Sequence, residues 1–362
     1  MPGLYIHIPF CRRKCRYCDF ASLAGRDELI GPYLTALKTE AELLKPLFQP
    51  DTLYVGGGTP SLLDERRLEE LFSLINGAFG PVKTFKESTF EINPESLTEG
   101  KAAALKTAEI TRVSLGLQAV QNRLLTRLGR LARFEDFLKA FNLLRSAGFD
   151  NISVDLMTGL PGQSAGDFRE TLDRVTALRP EHVSFYPLEI HKGTPFFEEG
   201  VPEEPGAAAD MFEMSVPLLE TAGFRHYEIS NFARPGRESL HNLNYWDQGD
   251  YLGLGASAAS HRNGDRWTNV ASPERYISTA GRAAGPERSE SETLSSGGRR
   301  AERIMLGLRK TAGIELPEDI FIEFSEHLAA LSAKGLLEIS GRRVKIKKEA
   351  LYVSNAVFRE FV

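Results

Sequence analysis

An α/β fold, a parallel sheet with helices outside it, is predicted by two patterns in the chain. Short β-branched or apolar runs alternate with longer amphipathic ones as far as about residue 200. The residues with the most chemical character fall just past the short runs, where parallel strands deliver functional loops. Strand candidates are 4–8, 52–56, 89–93, 111–117, 151–157 and 182–188. Helical patterns lie between them, near 27–47, 62–78, 98–108, 121–128, 135–147 and 165–178, with Gly148 as a helix stop. Six β–α units in succession predict a parallel sheet.

Beyond residue 200 the alternation stops. A helix near 207–222 precedes a strand-like His226-Tyr227-Glu228-Ile229, and a Gly-rich, aromatic stretch runs from 230 to about 270. Residues 281–298 are poor in apolar side chains and read as a flexible connector. The remainder, 299–362, reads as a small unit with helices near 299–310, 318–334 and 349–360 and a hairpin turning at Ser340-Gly341. That order resembles a winged helix. The expected organisation is therefore 1–200, 201–280, the connector 281–298, and 299–362.

With 362 residues, 42% of them hydrophobic, the chain can bury a large core and hold more than one domain. A net charge of −5 argues against electrostatic nucleic-acid binding. Arg342, Arg343, Lys345, Lys347 and Lys348 decorate the hairpin, but acidic residues are nearly as frequent around them. No run reaches the length of a membrane span, and the N-terminus enters a strand without a signal peptide, so a cytoplasmic protein is expected. Composition leaves peripheral membrane contact open.

The three cysteines of the chain are Cys11, Cys15 and Cys18, spaced C-x3-C-x2-C just after the first strand. Buried core cysteines need no neighbours of their kind. An odd, clustered trio cannot staple a large chain. Soft thiolates suit zinc or an iron–sulfur cluster. Either normally takes four ligands, so one must come from outside the trio. Arg12, Arg13, Lys14 and Arg16 are interleaved with the cysteines, and positive charge favours thiolate. A structural zinc site with His7 as fourth ligand is the plain alternative, although zinc ligands usually come as two separated pairs.

This spacing resembles the signature of the radical SAM enzymes. The resemblance implies a [4Fe–4S] cluster on Cys11, Cys15 and Cys18, with S-adenosylmethionine on the fourth iron, and a partial, six-stranded barrel open on one side. Gly56-Gly57-Gly58-Thr59-Pro60 follows the second strand, and three glycines allow close backbone approach to a ligand. In the family this segment meets the methionine end of S-adenosylmethionine, which implicates Gly57, Gly58 and Thr59. Glu91, Gln118, Arg130 and Asp155, at or beyond successive strands, resemble the residues that bind S-adenosylmethionine in the coproporphyrinogen-oxidase-like branch. An arginine fork suits a carboxylate. Tyr5 and Tyr17 match aromatic positions beside the cluster there, and Gly159-Leu160-Pro161-Gly162-Gln163 matches a turn motif. The likeness extends to Glu302–Arg309 at the start of the C-terminal unit.

Two functions compete within that branch. The coproporphyrinogen III oxidases, which decarboxylate propionates, typically carry a further cysteine where this chain has Phe20, and an N-terminal extension where only four residues precede Tyr5. Both differences favour the HemW heme chaperones. His241-Asn242-Leu243-Asn244-Tyr245-Trp246 matches the HNxxYW segment associated with heme there, so His241, Tyr245 and Trp246 are expected at heme: imidazole ligates iron, and aromatic faces suit a porphyrin. The chain departs from the pattern where Ala132 and Ala259 stand at usual histidines, with His261 two residues beyond the second, and near His191, where a usual glutamate is replaced. The resemblance thus implies heme as cargo, recipient hemoproteins and a low-potential electron donor as partners. A zinc-binding, non-catalytic regulator is the distant alternative.

Overall fold

The computed structural model of the chain describes residues 1–45 and 48–361. Six strands fall where the sequence puts them: β1 Gly3–Ile8, β2 Thr52–Gly57, β3 Glu87–Ile92, β4 Arg112–Gln118, β5 Ile152–Thr158 and β6 His182–Pro187. All pair in parallel in chain order. The connecting helices include α1 Ile30–Leu44, α2 Glu65–Phe79, α3 Glu99–Thr107, α4 Asn122–Arg127, α5 Phe134–Ser146 and α6 Ala165–Ala177. The last two positions of the helix expected over 27–47 lie outside the described residues. Side-chain caps start several helices: Asp64 accepts from Arg67 N (2.8 Å), and Ser164 and Asp167 form a reciprocal box.

Strand alternation separates two faces. Leu4, Ile6, Ile8, Leu53, Val55, Phe90, Val113, Leu115, Val154, Val183 and Phe185 are buried in one apolar core that also takes in residues from the helices. The alternate positions are mostly polar: Tyr5 and His7, Thr52 and Tyr54, Glu87 and Glu91, Arg112 and Ser114, Ser153 and Asp155, His182 and Ser184. With period 2 they share the opposite, concave face of the sheet. This polar lining is held by its own bonds: Ser114 Oγ donates to Asp155 at 2.9 Å, and Ser153 Oγ meets His182 Nδ1 at 2.8 Å.

The sheet grows beyond six strands. On one edge, β9 Tyr251–Leu254 adds a seventh parallel strand against β1. The antiparallel β10 Ala259–Arg262, β11 Asp265–Asn269 and β12 Arg288–Thr293 follow it, with α9 Pro273–Thr279 between the last two in sequence. On the other edge, β8 Asn231–Ala233 pairs β6 and then β7 Arg225–Glu228, which follows α7 Pro205–Thr221. The twelve strands form one open sheet, ending at β12 and β7.

β12 corrects the expected connector. Six residues of 281–298, Arg-Ser-Glu-Ser-Glu-Thr, form an edge strand whose every residue is exposed. A strand paired on one side and buried on neither face carries no apolar alternation to read, and charges are what an edge strand uses against further pairing. The rest of the described chain comprises α10 Ser296–Gly307, two short helices in place of the one expected over 318–334, a four-residue helix Asn355–Phe358 between 3-10 turns in place of the one expected over 349–360, and the hairpin strands Leu337–Ser340 and Arg343–Ile346, joined at the side by Ile314–Glu315. The basic hairpin residues face acids, Lys345 with Glu338 (3.1 Å) and Lys348 with Glu220 (3.0 Å). Among the described residues no helix is long and apolar enough to cross a membrane.

Candidate functional site

The cysteine loop follows β1 and is closed by Phe10–Cys11 pairing with Leu23–Ala24. Cys11 is buried, while Cys15 and Cys18 are half-buried. Burial pushes the Cys11 thiol up and the Cys18 thiol to about 11, outweighing the favourable charge of Lys14. The interleaved arginines act elsewhere. Arg13 donates to the Gly129 carbonyl and Arg16 pairs with Glu199. The cation that does reach a thiol is Arg130, whose Nη1 lies 4.0 Å from Cys15 Sγ.

Arg130 is buried and held by two acceptors, the Gly116 carbonyl (3.0 Å) and Asn93 Oδ1 (3.1 Å). Asn93 Nδ2 in turn donates to Thr59 Oγ1 (2.9 Å), and Thr59 Oγ1 donates to Cys11 Sγ (3.4 Å). One asparagine therefore couples the partners of two cysteines. Sequence reasoning missed it, although Glu91 and Asn93 stand two apart and so share a face at the end of a strand.

The glycines fit this crowding. A Cβ on Gly58 would stand 3.0 Å from Cys11 Sγ, and one on Gly57 would stand 2.7 Å from the His7 ring. Gly57 also has φ +116°, a region that favours glycine. Its N–H donates to Glu91 (3.1 Å), which also accepts from the Tyr54 hydroxyl (2.8 Å). Burial raises the Glu91 carboxyl to about 7. Gln118 has φ +70° at a register shift between β4 and β5. Its buried Oε1 has no partner, and neither has Arg130 Nε. Buried polar atoms left unpaired in a strained bulge at strand ends fit a polar ligand beside the cysteines.

These residues suit a cluster and S-adenosylmethionine better than zinc. His7 bonds Tyr5 OH through Nδ1 (2.9 Å) and the Ala21 carbonyl through Nε2 (2.8 Å), leaving no nitrogen for a fourth zinc bond. Among the described residues no three Cys, His, Asp or Glu side chains stand close enough to share one metal ion. A cluster offers separate irons, and each thiolate reaches only its own. Tyr17 lies beside Cys15 and Arg130, and burial raises its hydroxyl well above the usual value. Asp155 is more remote, bonded to Ser114 and raised by burial.

One chamber of about 560 Å³ joins the two halves of the sequence expectation. Tyr5, Gly57 and Glu91 line one side, Tyr245, Trp246, Tyr251, Ala259 and His261 the other, with Phe20 at 63% exposure among the lining residues. Its size suits an organic ligand. The far wall is α8, Leu240–Trp246, whose first turn is gripped by buried Glu87: Oε1 accepts from His241 N and Oε2 from Leu240 N, both at 3.0 Å. Glu87 is a second residue that the sequence reading missed.

His241 itself does not face the chamber. Its Nδ1 meets Thr52 Oγ1 and its Nε2 meets Tyr245 OH, both at 2.8 Å. Burial lowers its basicity to about 3. The expected iron ligand thus has both nitrogens engaged, and its visible role is to orient Tyr245. Trp246 lies against Arg309, 4.2 Å from guanidinium to ring centre. Gln248 and Arg266 both bind Glu302 of α10, so the C-terminal unit closes part of the chamber. Ala132 is buried in the turn after Arg130, and His191 lies outside the chamber near Asp19 (3.5 Å).

Known proteins resemble the chain along its whole length. The radical SAM superfamily model matches residues 5–175. The chain is 35% identical to the heme chaperone HemW of Bacillus subtilis, over 100% of this chain and 99% of that one. It is also 35% identical to the heme chaperone HemW of Escherichia coli, over 71% of this chain and 69% of that protein. The solved structure of the coproporphyrinogen III oxidase HemN from Escherichia coli, a radical SAM enzyme, superposes with a TM-score of 0.85 at 23% identity, covering 99% of this chain and 90% of that one. The last is a likeness of fold.

Proposed function

Since the chain belongs to the radical SAM superfamily and, within it, to the HemW heme chaperone family, we propose that it binds heme in the chamber and passes it to recipient hemoproteins. The observation that carries the reading is the chamber itself, in which the strand-end polar residues and the aromatic wall of α8 face one space. Cys11, Cys15 and Cys18 would hold a [4Fe–4S] cluster. Tyr5, Tyr17, Gly57, Gly58, Thr59, Glu91, Gln118, Arg130 and Asp155 would surround S-adenosylmethionine. Together those groups supply one-electron chemistry when a low-potential donor reduces them.

Each protein residue has a role that its chemistry supports. Arg130, a buried cation beside Cys15, suits the ligand's carboxylate, and its unpartnered Nε is spare donor capacity. Glu91, half-neutral at neutral pH, is drawn to the anion when an ammonium group arrives. Tyr245 and Trp246 offer flat faces to a porphyrin. Phe20, where the oxidases carry a further cysteine, gives the chamber an apolar side chain with no thiol chemistry. Clustered thiols suit a reducing cytoplasm, which is the proposed site of this activity.

The test is an anaerobically reconstituted preparation given ferric heme and an apo-hemoprotein, and separately coproporphyrinogen III with reductant and S-adenosylmethionine. Heme uptake and transfer without protoporphyrinogen formation is expected. Decarboxylation of coproporphyrinogen III would replace the chaperone reading with an oxidase.

A further inference from the structure

Two histidines stand at the aromatic side of the chamber, and they differ in what their nitrogens have left to give. Both nitrogens of His241 are hydrogen-bonded inside the protein, to Thr52 and Tyr245. The ring is also wedged: a Cβ on Gly3 would lie 3.0 Å from its Cε1. Moving it onto a ligand would break two buried bonds and disturb β1.

His261 is built differently. It lies on β10, is 6% exposed and lines the chamber. Its Nδ1 meets the Gly249 carbonyl at 3.3 Å. A carbonyl only accepts, so Nδ1 carries the proton and the lone pair is on Nε2. That Nε2 is shielded from water and has no partner in the protein. Leaving such an atom unpaired is costly, and a ligand at Nε2 would remove that cost. A histidine that donates one ring N–H to a backbone carbonyl and presents the other nitrogen bare is arranged as metal-binding histidines are. Ala259, two residues earlier on the same strand face, also lines the chamber and presents only a methyl group. Ser260 between them points the other way, accepting from Gly253 N at 2.9 Å.

We infer that His261, and not His241, is the protein ligand to heme iron in this chamber. The assignment rests on the heme reading above and adds the atom, Nε2, through which cargo is held. His241 is then a positioning residue that fixes the Tyr245 hydroxyl and the pitch of α8.

The experiment adds ferric heme to the full chain under anaerobic conditions and follows absorption and EPR spectra, neither of which needs turnover. The wild type should show an imidazole-ligated heme. His261→Ala should lose that signature and bind on the order of tenfold more weakly. Added imidazole should restore the signature in His261→Gly. His241→Gln should keep the signature while melting at lower temperature. A wild-type spectrum in His261→Ala, with the signature lost in His241→Gln, would overturn the assignment and leave heme binding intact. No heme uptake by the wild type would overturn the heme reading and this inference together.

Discussion

The two sides of the chamber are built by opposite means. On the strand-end side, short polar side chains at the ends of β2 to β4 are cross-linked through Asn93, Thr59 and Arg130, and reach the cysteines directly. On the aromatic side, a seven-residue helix and a β-hairpin present rings, and the histidine of the helix, His241, is tied off between Thr52 and Tyr245. The first side is organised by the parallel sheet. The second is attached to it through Glu87 and Glu40. A sequence motif on the first side therefore names residues that reach the cysteines, whereas on the second it names only the neighbourhood.

The largest effect should come from the strand-end side. Replacing Cys11, Cys15 or Cys18 by Ala should abolish the visible absorption of an anaerobically reconstituted cluster. Heme absorption titrated on the aromatic side should survive in those variants, because their walls are separate. Loss of both together would break the comparison and make the chamber one cooperative site.

Next comes Arg130→Ala. It removes a buried cation that meets Cys15, Asn93 and Gly116, and charge-assisted bonds contribute about 1.5–3 kcal/mol each. S-adenosylmethionine affinity, read from its perturbation of the reduced cluster's EPR spectrum, should fall by about tenfold to a hundredfold. Asn93→Ala should fall less, by about tenfold, since it removes one charge-assisted bond from Arg130 and one neutral bond to Thr59 but leaves the cation in place. An Asn93→Ala variant as impaired as Arg130→Ala would mean that Asn93 meets the ligand itself.

What the sequence showed follows the same division. The six parallel strands were legible because each is an apolar run with polar alternates; Cys11 and Thr59 fall just past strand ends, Glu91 sits near the end of β3, and Arg130 follows α4. Three things were hidden. Edge strand β12 has no buried face, so no periodicity marks it. Strand β9 is a seventh parallel member inserted beside β1, and pairing between residues 3 and 251 has no local signal. The third was which histidine is free. His241 sits in a recognisable motif, while the bare Nε2 of His261 depends on where Gly249 and β11 lie in space. Motif spacing reports which residues gather, but hydrogen-bond saturation is a tertiary property.

The smallest expected effect tests how the aromatic side is anchored. Glu40 of α1 is buried and accepts from Gly255 N (2.9 Å) and Asn269 Nδ2 (2.8 Å), at the end of β9 and in β11, and from the Tyr276 hydroxyl. Burial raises its carboxyl from 4.5 to about 7, against those bonds and the attraction of Arg288. Tyr33, the other titratable group packed there, has its own hydroxyl raised by burial and stays neutral. The folded state thus holds a proton that the unfolded chain releases near 4.5. Its contribution to stability is complete below that value and is lost as pH rises through about 7, at no more than about 1.4 kcal/mol per pH unit. Glu91 on the opposite side is raised to a similar value, but it faces the chamber, and an arriving cation would reverse its shift. Glu40→Gln should therefore flatten the fall in melting temperature between pH 5 and 8 with or without S-adenosylmethionine. Glu91→Gln should flatten it only in the absence of S-adenosylmethionine, because the bound ammonium already holds the wild-type carboxyl ionised. Equal slopes for Glu40→Gln and wild type would remove the buried carboxyl as the anchor and leave the hairpin attached by strand pairing alone.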